Sequence, residues 1–278
     1  MHIINNIKKS IFTFYLNYLN NTNIIQRGKY RVGHWLHELL NYATYERHGV
    51  LIELNPVSLI DRKIILTSNH DPIVFELISN ILKPQGIFLD IGANIGYFSL
   101  LAARLPDVQV ISFEPSPREI VRFYRNIALN RFSNITLFPY GLSDQVTSSS
   151  LYIHDDSNPG MNSPINLQDL FPYVKYNQIA SCNFIPLDHI FSETLLSKVQ
   201  LCKIDVEGYE MSILKGMSKS IENMSNTVFV VEISPEYLQV AGYNPKDIYD
   251  YFEKYGFKPR FGICHSQQYD EVFSKREL

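Results

Sequence analysis

The chain has 278 residues, 45% hydrophobic and 19% charged, which suits one catalytic domain with appendages or two small domains. A net charge of -3 with no run of Lys or Arg gives no electrostatic footprint for nucleic acid. Three scattered cysteines, Cys182, Cys202 and Cys264, form no Cys-x-x-Cys pair. They argue against a disulfide framework or a zinc site and suit a reducing cytoplasm.

Residues 1–75 read as an N-terminal extension packed on the rest of the chain. Lys8 and Lys9 precede the apolar run 11–16, which is too short to span a bilayer and is followed at once by Asn17, Asn20 and Asn21. No small-residue cleavage site follows, against a signal peptide. A packing helix is expected there, with a peripheral membrane helix as the alternative. His34 and His37 have i, i+3 spacing on a predicted helix, with no third ligand near in sequence, and read as structural. The run Ile64-Ile65-Leu66-Thr67 reads as strand-like.

A regular pattern starts near residue 86, and residues 76–278 are expected to form the catalytic domain. Runs 87–89, 108–113, 135–138, 199–204 and 228–233 are near-continuously apolar, as strands buried on both faces must be. Helix signals lie between them. Ser116-Pro117-Arg118-Glu119 has the form of a capping box, with Ile120, Phe123, Tyr124 and Ile127 on one face. Met211, Leu214, Met217 (or Ser218) and Ile221 keep helical spacing. Asn244-Pro245-Lys246-Asp247 repeats the capping device, with Ile248, Tyr251, Phe252 and Tyr255 as its stripe and Gly256 as the stop. The alternation predicts a doubly wound, Rossmann-like α/β sheet with right-handed crossovers. Residues 139–198 exceed an ordinary connection between the third and fourth strands. Inserted beside the edge where open sheets bind ligands, they are expected to form an acceptor lid, against the plainer reading of a hairpin and loop.

The turn after the first strand, Asp90-Ile91-Gly92-Ala93-Asn94-Ile95-Gly96, leads into a helix, the place where glycine loops bind anionic or nucleotide ligands. A dinucleotide fingerprint needs a second glycine where Asn94 stands, and Asp90 would repel a pyrophosphate. The loop instead suits S-adenosylmethionine (SAM), whose methionine end carries an ammonium for Asp90 and a carboxylate for the amides of Gly92 and Gly96. Glu114, ending the second strand, is placed to accept both ribose hydroxyls.

The segments Phe88 through Ser99, Ser112-Phe113-Glu114-Pro115, Leu187-Asp188 and Lys203-Ile204-Asp205-Val206-Glu207-Gly208-Tyr209-Glu210 with Leu214-Lys215-Gly216 resemble FkbM-type methyltransferases. The resemblance covers about residues 75–235. It implies a class I methyltransferase fold, SAM as donor and most often a hydroxyl acceptor on a sugar, glycan or secondary metabolite. It also places the fourth strand beside the first and Asp144 near the adenine amino group, with a plain turn residue as the alternative for Asp144.

Lys203 and Asp205 share a face at the end of the fourth strand, and Glu207 follows in the turn. Alignment of nucleophile and sulfonium can contribute roughly 7–11 kcal/mol. A sugar hydroxyl still needs a proton acceptor, for which Asp205 or Glu207 is the candidate, with Lys203 tuning the carboxylate. The alternative is that they orient the turn and the methionine end. Glu232, ending the fifth strand, is a candidate acceptor-binding acid. Asp205, Glu207 and Glu232 could together hold a divalent metal, but their spacing is not diagnostic and none is expected. His154 and His189 are weaker candidates for the base, and Phe171, Tyr173 and Tyr176 could stack on a sugar ring or simply pack. The expected activity is O-methylation of a sugar hydroxyl on a glycan or glycosylated metabolite. The rivals are methylation of a non-sugar metabolite and a nucleotide-dependent oxidoreductase on a similar sheet.

Overall fold

The computed structural model describes residues 43–277 except 69, 156, 157, 169, 170, 172, 173, 265 and 266. The basic N-terminal run, His34, His37 and Tyr173 lie outside the described residues. The chain divides into two compact units, residues 1–70 with 156–158, and residues 71–155 with 159–278.

In the first unit, β1 (Ala43–Arg47) and β2 (Val50–Leu54) form an antiparallel hairpin. Its two turn residues, His48 and Gly49, both have positive φ, as the tight hairpin turn requires. The helix α1 (Leu59–Thr67) replaces the strand expected at residues 64–67. Ser58 caps it, its hydroxyl accepting from the Asp61 amide at 3.2 Å and donating to Asp61 Oδ1 at 2.9 Å. That cap, with Ile64 and Ile65 both buried against the unit, outweighs the β preference of the branched run.

The second unit begins at Asp71, which caps α2 (Pro72–Ile81) by accepting from the amides of Ile73 and Val74. Residue 75 falls inside this helix. There follow β3 (Ile87–Ile91), α3 (Tyr97–Ala103), β4 (Gln109–Phe113), α4 (Pro117–Asn130) and β5 (Ile135–Phe138). The inserted segment carries β6 (Gly141–Leu142), β7 (Thr147–His154), β8 (Tyr176–Ile185) and the short helix α5 (Glu193–Leu196). The chain returns as β9 (Val199–Ile204), α6 (Glu210–Lys215), β10 (Val228–Ile233), α7 (Pro235–Val240), α8 (Pro245–Lys254), β11 (Lys258–Pro259) and β12 (Tyr269–Ser274).

The main sheet has seven strands in the order β11-β12-β10-β9-β3-β4-β5. β12 runs antiparallel to both of its neighbours, and the remaining pairings of the sheet are parallel. The five strands expected from apolar runs are β3, β4, β5, β9 and β10, and β9 lies directly beside β3. Strand order reverses between these two, the switch point where doubly wound sheets bind ligands. Leu89, Ile91, Cys202, Ile204, Phe229 and Val231 belong to one buried core with Ile248 and Phe252 of α8.

Several local expectations are corrected. At α4 the Ser116 hydroxyl donates to the Glu119 carboxylate rather than accepting an amide, so no capping box closes there. Tyr124 is half exposed, off the buried face that holds Phe123. Helix α6 stops at Lys215, although Met217 and Ile221 beyond it are still fully buried. At α8 the expected box does close, with Asn244 and Asp247 satisfying each other's amides.

The insertion forms its own sheet in the order β6-β8-β7, the last two a long antiparallel hairpin. Side-chain hydrogen bonds are among the contacts that seat it on the C-terminal edge of the main sheet. Cys182 Sγ donates to Pro115 O, Arg118 Nη1 to His154 O, Asn162 Nδ2 to Glu119 Oε2, and Ser163 Oγ to Glu207 O.

Candidate active site

Parallel pairing sets Asp90 level with Ser112 on one side and Lys203 on the other. One step further along the edge stand Asp205, Glu232 and Asp270, the last two directly paired in the β10–β12 register. Alternation along each strand sends these side chains to the face opposite the α8 core.

The glycine loop folds upon itself. Gly92 has φ +82°, and a Cβ there would stand 1.9 Å from the Asp205 carbonyl oxygen. Gly96 has φ +83°, and its Cβ would enter the Phe123 ring at 2.0 Å. Both glycines are therefore required by packing as well as by conformation. The amides of Gly92 and Ala93 donate to Phe113 O, that of Gly96 to Ala93 O, that of Asn94 to Glu114 Oε2 and that of Ile95 to Asn94 Oδ1. The Gly92 and Gly96 amides, expected to meet a ligand carboxylate, are here engaged by the carbonyls of Phe113 and Ala93. Glu114 also accepts from Ser116 N, bracing the loop against α4. Burial and then the neighbouring Glu119 push its pKa up to about 8.

Asp90 is almost fully buried. Its Oδ2 accepts from the Ser99 hydroxyl, which is linked in turn to Ser112 Oγ at 2.8 Å. Its Oδ1 is buried with no hydrogen-bond partner. Burial raises the pKa, with Lys203 pulling the other way. An unpartnered acid oxygen at this depth fits a cationic donor, and the ammonium of a methionine end meets that requirement.

Lys203 is buried, donates to Asp205 Oδ2 at 2.5 Å and lies 5.5 Å from the Phe98 ring centroid. Burial works to lower its pKa, but Asp205, Asp90 and Glu232 outweigh that and hold the ammonium charged. Asp205, Glu207 and Glu232 each bring one carboxylate oxygen within 4.8 Å of the others. Glu207 has a left-handed backbone, φ +53°, and its Oε2 is buried without a partner. Burial, then Asp205 and Glu210, push its pKa well up, while Lys203 opposes them. Glu232 is raised by burial, Asp205 and Glu207.

Sequence reading missed the next layer. Asp270 is pushed up to about 8 by burial, Asp71 and Asp205. Glu210 is fully buried, accepts from Gly208 N at 3.0 Å and is pushed up to about 7 by burial. The Asp-Pro step at residues 71–72 was a readable cap signal; Asp270 lies on β12, between β11 and β10, in a strand with no apolar run at that point to announce it.

The other candidates stand apart from the cluster. Asp144 is exposed and accepts from the Ser143 hydroxyl at 3.1 Å. His154 is buried in the insertion, where Nε2 accepts from Lys175 N at 3.3 Å and Nδ1 faces Asp155 at 3.2 Å. His189 is exposed in a 310 turn, beside Asp188, which gathers the amides of Lys219 and Ser220. Phe171 packs against Tyr237 and Tyr176 against Tyr152.

A sheet of this strand order, with one antiparallel strand near its edge and a glycine loop at the switch point, defines a class I methyltransferase. The model of the methyltransferase FkbM domain matches residues 90–259, more than half the chain, and the chain belongs to that family. SAM is accordingly its methyl donor. Methyltransferase 1 of Beauveria bassiana is 28% identical over 210 residues, covering 68% of this chain and 78% of that protein. The 2-O-methyltransferase NoeI of Sinorhizobium fredii is 26% identical over 166 residues, 56% of this chain and 65% of that protein. The hexuronic acid methyltransferase AglP of Haloferax volcanii is 27% identical over 175 residues, 63% of this chain and 64% of that protein. The last two are thus matched over just under two thirds of their length. No helix among the described residues is long and apolar enough to cross a membrane.

Proposed function

We propose that the chain O-methylates a sugar hydroxyl on a glycan or glycosylated metabolite, with Glu207 as the general base. The observation that carries this is Glu207 Oε2, buried and unpartnered beside Asp205 and Glu232 at the edge that also holds Asp90. SAM supplies an electrophilic methyl group when bound. Asp90 would hold its ammonium, Glu114 its ribose hydroxyls through lone pairs its two amides leave open, and Asp144 the adenine amino group.

A hydroxyl that becomes an ether must lose its proton as the new bond forms. A carboxylate whose proton affinity is raised above the ordinary range by burial and neighbouring acids is the better proton acceptor. Asp205 is less free for that role because Lys203 already holds it, so this pair positions and Glu207 takes the proton. Glu232 accepts a second hydroxyl of the acceptor. The insertion, seated on this edge, covers the acceptor as a lid. The name of AglP, a hexuronic acid methyltransferase, favours a sugar acceptor and that of NoeI, a 2-O-methyltransferase, an oxygen as the methylated atom. Scattered cysteines with no Cys-x-x-Cys pair suit the cytoplasm.

The test is transfer from methyl-labelled SAM to a panel of methyl glycosides of hexoses, deoxyhexoses and hexuronic acids. Label in an alkali-stable sugar product supports the reading. Alkali-labile label would mean an ester on a carboxyl group, and label only in non-sugar fractions of a lysate would move the acceptor to another class; either overturns it.

A further inference from the structure

We infer that Ser163, in the insertion, is a positioning residue that holds the Glu207 backbone and so ties turnover to the seating of the insertion. The inference rests on Glu207 as the base.

Glu207 occupies a left-handed conformation that disfavours any residue with a side chain. The next residue, Gly208, has φ +95°, and a Cβ on it would meet Tyr237 Cβ at 2.9 Å. The turn therefore has little room to relax on that side. Two side chains hold it. Glu210 Oε1 accepts from the Gly208 amide, a contact within the same short motif. The Ser163 hydroxyl donates to Glu207 O at 2.9 Å, from a residue 44 positions away.

Ser163 is itself fixed. It is fully buried, its backbone pairs both ways with Tyr152 of β7, and its Oγ accepts from Ile165 N at 3.1 Å. One hydroxyl thus links a strand of the insertion to the backbone that aims the Glu207 carboxylate. Without that donor, the Glu207 peptide can turn toward an ordinary conformation and carry its carboxylate away from Asp205 and Glu232. A misplacement of about 1 Å at a reacting group can cost on the order of 100-fold in rate.

The experiment compares Ser163→Ala with the full-length wild type, using the best methyl glycoside of the panel and SAM. Turnover should fall about 10- to 100-fold while the acceptor KM and the SAM Kd each change by less than about threefold. On a Glu207→Gln background the same substitution should cost nothing further, because the base it positions is gone. Wild-type turnover in Ser163→Ala, or an equal additional loss on the Glu207→Gln background, would overturn the assignment. If no glycoside is methylated even by the wild type, the sugar reading fails, and amide exchange in the SAM-bound protein decides this one. Gly208 should then exchange at least about tenfold faster in Ser163→Ala while the β9 amides keep their protection. Unchanged exchange at Gly208 would refute it.

Discussion

Replacing Asp90 by Asn should weaken SAM binding and, in the same protein, stabilise the ligand-free fold. The opposite signs follow from one observation. Asp90 Oδ1 is buried and unpartnered, and the surroundings raise the carboxyl pKa even though Lys203 lies on the adjacent strand. A raised pKa means that the fold disfavours the charge relative to water. A neutral isostere that keeps the Ser99 contact removes that penalty, so the ligand-free protein should melt higher than the wild type. The same change removes the charge that meets the ligand ammonium. A charge-assisted hydrogen bond is worth about 1.5–3 kcal/mol, so SAM affinity should fall by about 10- to 150-fold. Calorimetric titration with SAM and thermal melts with and without ligand measure both quantities on one sample. An Asp90→Asn protein that binds SAM as tightly as the wild type would refute the ammonium assignment. One that melts lower without ligand would refute the account of the buried charge.

Glu271→Gln should cost about 3 kcal/mol or more, because one fully buried carboxylate accepts from Arg260 N, Phe261 N, Gly262 N, Val272 N and Tyr249 Oη, and an amide nitrogen would face two of those donors. A urea midpoint shifted by less than a third of that would show that the loop amides find other partners. Stability should also fall as pH rises from about 5 to 8, since Glu114 at about 8 and Glu210 at about 7 both stand above the ordinary value of 4.5. The folded chain then binds more protons than the unfolded one across that window, and each group contributes a slope of up to about 1.4 kcal/mol per pH unit. Melting temperatures should decline accordingly and Glu114→Gln should flatten the decline; a rise with pH would refute the sign.

The parts of the fold that sequence made legible are those where one physical demand dominates. Strands buried on both faces must be apolar throughout, so β3, β4, β9 and β10 could be read directly, and β5, at the edge with Thr136 exposed, still carried enough of the run. The strand β12, second from the edge, could not. Its run Tyr269-Asp270-Glu271 puts two acids in succession, and Glu271 is tolerated inside only because a loop nearby offers its amides. No periodicity encodes that tertiary bond. The strand β7 hid in the same way, since Ser148, Ser149 and Ser150 face solvent and give no apolar signal. The miss at α1 was avoidable, because Ser58-x-x-Asp61 carries the cap pattern that outweighs three branched or long apolar residues in a row.

The candidate site was legible for a related reason. In a parallel sheet every strand delivers its C-terminal residue to one edge, so Asp90, Lys203, Asp205 and Glu232 had to collect there once the strands were placed. What sequence could not supply was the division of labour among them. Lys203 is level with Asp90 on the adjacent strand and binds Asp205 directly, so one charge serves both acids together. Burial and neighbouring acids dominate the surroundings of Glu207 and Glu232, relieved in Glu207 by the pull of Lys203, and both hold protons more tightly than an ordinary carboxyl. The edge is thereby graded electrostatically, from an ion-paired acid to acids crowded by like charge, of which Glu207 is the one proposed to take the proton. A single buried lysine creates that grading, and its replacement by Met would leave Asp205 as crowded as its neighbours and blur the distinction between holding and accepting.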